Sequence, residues 1–306
     1  YSINSTLHSV PACQSIVKKA VVDRLSAAYG IAQFPETGRR YQVRFSIMKD
    51  EVTVGLDTSG EGLYKRGYRA HGVAAPLKET LAAAMVKLSH YNGRDPFCDP
   101  FCGSGTIPIE AALIAKNRAP GLDRSFAAQK WKNMDSKLWL EAGDEAMDKE
   151  FHGHYDIWGG DIDPAAVALA NANAKLAGVE KRCHFEVADV ADFAARSEAI
   201  VLTNPPYGER MSTIEGAAKL ARTLGQQMEA HPCAGVYAIT ADMDFEHHYG
   251  KRANKRRKMY NGMIPCQLYM YYNAPKFENR PAKPMPKSGF DGKRTQPGHT
   301  SRFEKK

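Results

Sequence analysis

Three groups of residues in this chain have the types and spacing to handle a small polar molecule. The first is Asp99-Pro100-Phe101-Cys102-Gly103-Ser104-Gly105-Thr106. Gly103 and Gly105 let the backbone approach a ligand with no Cβ in the way. A helix opening at the end of this turn offers free N–H groups to a carboxylate, and Asp99, just before the turn, can hold an ammonium group. The second group is Gly160-Asp161-Ile162-Asp163-Pro164. Asp161, at a strand end, suits two ribose hydroxyls, whereas Asp163, directly before a proline, suits a helix N-cap. Asp189, at the end of a further strand, can accept from an adenine amino group. The third group is Asn204-Pro205-Pro206-Tyr207-Gly208-Glu209-Arg210. Two prolines end a strand sharply and stiffen the backbone, which presents the Asn204 side-chain carbonyl and the Pro205 main-chain carbonyl as converging acceptors. Two such acceptors are what a planar exocyclic –NH₂ needs, and Tyr207 supplies a face on which a base can stack.

Each group alone has a bland reading: a tight turn, a cap, a rigid corner. Their order along one chain argues for chemistry. The details also narrow the ligand. A dinucleotide fingerprint wants a small residue where this chain has Pro108, and an acid about 20 residues further on, which is missing. The G-K-[ST] of a phosphate-binding loop is absent as well. The glycine turn therefore suits a nucleoside ligand without a pyrophosphate.

The elements that must position these residues read as alternating strands and helices. A short apolar run, 96–98, leads into the first turn and a helical pattern, 107–115, follows it. Strands are predicted at 156–162, 184–188, 199–203 and 235–240, with helices at 165–177 and 217–230 between them. Residues 258–263 and 266–272 read as a closing strand pair, and the basic run 251–258 before it as a solvated loop or a phosphate contact. Pro76 is placed to open a helix over 77–89. Between 116 and 155 the chain is long, polar and helical, with Trp131 and Trp139 as packing anchors. Upstream, a helix over 11–29 stopping at Gly30 and a hairpin over 41–48 and 51–57, turning at Lys49-Asp50, make too small a core to stand alone. That unit, 1–75, leans on the next one or lacks an upstream portion, and a first residue of Tyr1 rather than Met agrees with a missing natural N-terminus.

Bulk properties set further bounds. The chain has 306 residues, 43% of them hydrophobic, enough for a full core and two domains. No run of about 18 apolar residues is present. The six scattered cysteines lack metal spacing and read as reduced cytosolic thiols, with no metal site. Net charge is +8, of which +6 falls in 276–306, where nine basic residues meet three acidic ones. That Pro-, Lys- and Gly-rich tail is predicted to be disordered, so the global charge says little about the folded part.

Together, Asp99 to Thr106, Gly160 to Asp163, Asp189 and Asn204 to Arg210 resemble a class I S-adenosylmethionine (SAM) methyltransferase. More narrowly, with Asp57-Thr-Ser-Gly-Glu-Gly-Leu-Tyr-Lys-Arg-Gly-Tyr-Arg69, Ala75-Pro-Leu-Lys-Glu-Thr80 and Asn171-Ala-Asn-Ala-Lys-Leu-Ala-Gly178, the chain is similar to bacterial THUMP-domain RNA methyltransferases of the RlmL/YpsC kind. The resemblance covers about residues 1–273. It implies an α/β fold: a Rossmann-like class I methyltransferase domain over 76–273, with a seven-stranded, mostly parallel sheet and an antiparallel closing strand. It also implies a partial α+β THUMP domain with its connector over 1–75 and a basic tail over 274–306. Asp99, Phe101, Gly103, Gly105, Thr106, Asp161, Ile162, Asp189 and Asn204 are then expected to bind SAM, and Asn204, Pro205 and Tyr207 to hold the target base. The expected reaction is methyl transfer to an exocyclic amine, N2 of guanine in 23S rRNA. The expected partner is RNA, as 23S rRNA or a ribosome assembly intermediate, in the cytoplasm and without membrane association. The alternatives are an N6-adenine methyltransferase on RNA or DNA and a non-catalytic RNA-binding or assembly factor on the same fold.

Overall fold

The computed structural model describes residues 1–35, 37–69, 77–207 and 214–272. Pro76, Gly208, Glu209, Arg210 and the basic tail therefore lie outside the described residues.

The chain opens with β1 (Ser2–Ile3), α1 (Val10–Tyr29), β2 (Val43–Met48) and β3 (Glu51–Leu56). β1 runs parallel to β2, and β2 and β3 form the expected hairpin. Lys49 and Asp50 both take positive φ, 51° and 63°, the pattern of a type I′ turn that matches strand twist. Gly30 ends α1 with φ 66° and returns its N–H to Ser26. β1 was not expected, because two residues carry no periodicity. Little of this unit is buried within itself: Cys13 is the one buried residue of α1, and every residue of β3 is exposed. It leans on the rest of the chain through Trp131. That indole lies 5.1 Å from the Tyr41 ring and donates to the Arg40 carbonyl at 3.3 Å. Trp139 stacks on Phe126 at 5.5 Å. Both tryptophans are packing anchors, as their contexts suggested.

The remainder alternates: α2 (Glu79–Leu88), β4 (Phe97–Asp99), α3 (Thr106–Ala115), α4 (Ser136–Asp148), β5 (Ile157–Asp161), α5 (Pro164–Leu176), β6 (Cys183–Val187), β7 (Ile200–Thr203), α6 (Ile214–Ala230), β8 (Gly235–Thr240), α7 (Phe245–Tyr249), β9 (Lys255–Asn261) and β10 (Ile264–Tyr272). Seven strands form one sheet in the order β6-β5-β4-β7-β8-β10-β9. The first five are parallel, and β10 is antiparallel to both its neighbours. From β4 the chain winds outward in one direction through β5 and β6, then returns to β7 on the other side. The crevice at the carboxyl ends of β4 and β7 is the switch point at which open sheets of this kind bind ligands.

The central strands are buried on both faces, which is why β7 and β8 are continuous apolar runs. One face packs Phe97, Ile157, Leu202 and Leu268 under α2, α3 and α5; the other packs Val201, Ala238 and Tyr269 under α6 and α7. Two expectations change. α2 begins at Glu79, after Pro76. The basic run is a loop only over 251–254: Lys255, Arg256, Arg257 and Lys258 are the first four residues of β9. Four consecutive charges hide strand alternation, and an outer strand exposed on both faces tolerates them. Among the described residues no helix is long and apolar enough to cross a membrane.

Candidate active site

Asp99 ends β4 with 1% of its surface exposed. Its Oδ1 accepts from Thr203 Oγ1 at 2.6 Å and from the Phe101 N–H at 3.1 Å. Its Oδ2 is equally buried and has no hydrogen-bond partner among the described residues. Burial pushes this carboxyl up to about 7; the two donors oppose that shift and the charge of Asp161 adds to it. A buried carboxylate oxygen without a partner is costly to keep, and an incoming ammonium group satisfies it.

The turn after β4 is held from below. The Cys102 N–H donates to the Gly160 carbonyl and the Gly103 N–H to Asp161 Oδ2, each at 2.9 Å. The two glycines turn out to serve different ends. Both have positive φ, but a Cβ on Gly103 would meet nothing within 4 Å, so this position is open to a ligand. A Cβ on Gly105 would stand 2.9 Å from Ala170 Cβ and 3.0 Å from the Phe185 ring. Gly105 is held to glycine by its positive φ and by the tight packing of α3 on α5 and β6. Thr106, the first residue of α3, is buried, and its hydroxyl accepts from Arg69 Nη2 at 3.1 Å. Arg69 also donates to Glu79 and to the Leu77 carbonyl, both at 2.7 Å. Thr106 is thus braced by the connector, and Asn173 Nδ2 braces the Ser104 carbonyl at 2.9 Å.

Along the same rim, Asp161 accepts from the Asp163 N–H at 3.0 Å and Asp163 caps α5 through the Ala165 N–H at 2.8 Å, as expected. Next to them Ile162, just past β5, is 69% exposed and Val187, the last residue of β6, 55%, two apolar side chains facing water at the ends of adjacent strands. Asp189 caps a single 3₁₀ turn, Val190–Asp192, through the Ala191 N–H at 2.9 Å. Phe101 is half-buried against the core on the α6 side.

Across the switch point, Asn204 follows β7 directly. Its Oδ1 is buried and, like Asp99 Oδ2, without a hydrogen-bond partner among the described residues. Pro205 is buried and Tyr207 half-buried. The Tyr207 hydroxyl accepts from Asn261 Nδ2 at 3.0 Å and from the Cys266 thiol at 3.6 Å, and burial raises the phenol to about 12. Thr203, Asn173, Arg69 and Asn261 were not anticipated as site residues. Arg69 and Asn173 sit inside stretches that carry the family resemblance, but a bracing role leaves no local pattern to read.

The site thus offers a lone buried carboxylate oxygen, an open glycine, a helix N-terminus, a rim acid and an exposed aliphatic pair in sequence. That set fits an amino-acid-bearing nucleoside such as SAM: ammonium, close backbone approach, carboxylate, ribose and adenine.

Comparison with known proteins agrees with this geometry. The family described as UPF0020, RMKL-like, methyltransferase domain, matches residues 66–270. YpsC of Bacillus subtilis (strain 168), which carries the name of an RNA methyltransferase, is 43% identical over 279 residues, covering 89% of this chain and 72% of its own. Ribosomal RNA large subunit methyltransferase K/L of Syntrophotalea carbinolica is 36% identical, covering 82% of this chain; the chain spans only 37% of that protein. Among solved structures, SMU.472, crystallised with S-adenosylhomocysteine, is 36% identical with a TM-score of 0.80, covering 89% of this chain and 72% of its own. A Listeria monocytogenes protein described as a predicted N6-adenine-specific DNA methylase is 45% identical with a TM-score of 0.81, covering 89% of this chain and 71% of its own. The chain belongs to the RMKL-like methyltransferase domain family, and it is a SAM-dependent methyltransferase.

Proposed function

We propose that this protein methylates an exocyclic amine of an RNA base, N2 of guanine in 23S rRNA. The observation that carries the reading is the buried Asn204 Oδ1, without a partner among the described residues and one residue from Thr203, whose hydroxyl holds the cofactor acid Asp99. An acceptor kept without a partner beside the cofactor site is preorganised for an N–H that arrives with the substrate. The names of the K/L relatives and of YpsC support RNA, and large-subunit rRNA in particular.

When bound, SAM supplies an electrophilic methyl group. Asp99 Oδ2 takes its ammonium, Gly103 gives the close backbone approach, Asp161 takes the ribose, and Ile162 and Asp189 take the adenine. Phe101 and Thr106 shape and brace the turn between them. Asn204 Oδ1 and the Pro205 carbonyl orient the substrate amine and stabilise the charge that develops on its nitrogen. The methylated amine is acidic enough to lose its proton late, so no strong general base is needed. Tyr207 offers its ring to the base, which must be unpaired or turned out of its stack. The N-terminal unit, as a partial THUMP domain, adds RNA contacts, and the protein works in the cytoplasm.

A second reading, adenine N6, is supported by the name of the Listeria relative, since both substrates are exocyclic amines. Mass analysis of nucleosides from unmodified 23S rRNA incubated with protein and SAM separates the two. N2-methylguanosine is the expected product. N6-methyladenosine moves the assignment to the second reading, and an unmodified digest overturns both on RNA.

A further inference from the structure

The β9–β10 hairpin ends at the same rim as Asp99, Asp161 and Asn204, because β9 is antiparallel to β10 and β10 to β8. Its turn is two residues long, Gly262-Met263, closed by Asn261 opposite Ile264. Gly262 has φ 66° and begins the turn, the glycine-first pattern of a tight type II′ hairpin. Asn261 Nδ2 ties this tip to the Tyr207 hydroxyl at 3.0 Å, and so to the turn that carries Asn204. Met263 is 94% exposed. A tight, anchored turn therefore holds an apolar side chain in water beside the target-base position.

Behind the tip, β9 is the outermost strand. Residues 251–272 contain six basic and no acidic residues. Arg256 pairs with Glu246 at 3.0 Å and Lys258 lies over the Tyr260 ring at 5.5 Å. Lys255 and Arg257 are exposed and have no ion-pair partner among the described residues. In the strand register they stand opposite Met270 and Leu268, on the face shared with Met259 and Asn261, which leads to Tyr207. The row ends in the apolar tip, while Tyr260, 56% exposed, stands on the other face of the strand. Cations leading to an exposed apolar tip suit a nucleic-acid strand better than an acidic protein surface, which has no use for the apolar part.

We propose that this hairpin docks the RNA strand carrying the target base. Lys255 and Arg257 take phosphates of that strand, and Met263 fills the gap left in the stack when the base turns toward Asn204, as apolar wedges do elsewhere. The proposal rests on the RNA methyltransferase reading. The test compares the full chain with Lys255→Glu/Arg257→Glu, Met263→Ala and Met263→Leu on in-vitro-transcribed 23S rRNA. The double reversal is expected to lower RNA affinity at least tenfold at low salt and to flatten the salt slope by about 1.4, roughly 0.7 for each single-strand contact. Met263→Ala is expected to slow single-turnover methylation by about tenfold, the scale of one lost base stack, and Met263→Leu to restore it. Cofactor affinity and melting temperature stay at the parent's values in all three, since the altered side chains are exposed. If the parent methylates the transcript while the double reversal keeps its affinity and salt slope, or Met263→Ala keeps its rate, the hairpin is not the docking element and the methyltransferase reading stands. If the parent transfers no methyl to the transcript, that reading falls and the hairpin proposal with it.

Discussion

Thr203 Oγ1 donates to Asp99 Oδ1 at 2.6 Å, with both side chains buried, joining the ends of two adjacent strands. One strand delivers the acid that faces the cofactor and the other delivers Asn204, so a single hydroxyl couples the positions of the two halves of the site. It also shields half of a charge that burial disfavours. Thr203→Val removes the donor and keeps the shape. A hydrogen bond to a charged group contributes roughly 1.5–3 kcal/mol, so cofactor affinity should fall about 10- to 150-fold. Titration calorimetry checks this, and unchanged affinity would show that Asp99 does not need its partner.

Asp99 itself gives a pH dependence of known sign. With its carboxyl pushed up to about 7, the group is largely protonated at pH 6 and must lose that proton to accept an ammonium. Cofactor affinity should therefore rise from pH 6 to pH 8, with a proton released on binding at the lower pH. Calorimetry in two buffers of different ionisation enthalpy measures that proton. Asp99→Asn should bind weakly, with a flat profile. Stability should move the other way. A carboxyl whose pKa is raised on folding stabilises the fold at low pH, and that contribution is lost as pH climbs toward about 7. Asp99→Asn should then melt higher than the parent at pH 8, by a few degrees for roughly 1–3 kcal/mol, and the gap should narrow at pH 5 and close only near the ordinary carboxyl value, 3.8.

Gly103 and Gly105 should fail in different ways. Both have positive φ, which costs a side chain roughly 1–2 kcal/mol. Gly105→Ala adds a collision with Ala170 and Phe185, worth about 1–3 kcal/mol more in a packed interior. Its melting temperature should drop the further of the two. Gly103→Ala meets only open space and should lose cofactor affinity out of proportion to its smaller loss of stability. Equal melting temperatures would contradict the packing argument.

What could be read from the sequence divides along physical lines. The strand-end motifs were legible because each packs chemistry into four to eight consecutive residues, and the middle of the sheet was legible because β7 and β8 are nearly continuous apolar runs. Asp163 could be assigned to capping from Pro164 alone. Gly105 could not be separated from Gly103, because what distinguishes them is a contact with Ala170 and Phe185, far along the chain. Asn261 holds Tyr207 from 54 residues away, and β9 hid its alternation behind four charges. For Gly105 and Asn261 the missing information is a non-local contact, which leaves no pattern in the local sequence.

Asn204 allows function to be separated from structure by one substitution. Its Oδ1 is buried without a partner among the described residues, which fits an acceptor kept for a group that arrives with the substrate. Removing a partnered buried polar group destabilises a protein; removing an unpartnered one is close to neutral or stabilising. Asn204→Ala should therefore melt at or above the parent's temperature and bind the cofactor with similar affinity. Single-turnover methylation of 23S rRNA should nonetheless fall about 10²–10³-fold, the scale for loss of one preorganised group at a reacting centre, roughly 2.7–4 kcal/mol. Tyr207→Phe serves as the contrast. It keeps the stacking ring but frees Asn261 and Cys266 from the hydroxyl that joins them, so it should lose about 1 kcal/mol of stability and only a modest part of its rate. A large stability loss in Asn204→Ala would assign the side chain to the fold. A full methylation rate in the same variant would mean that other groups hold the amine.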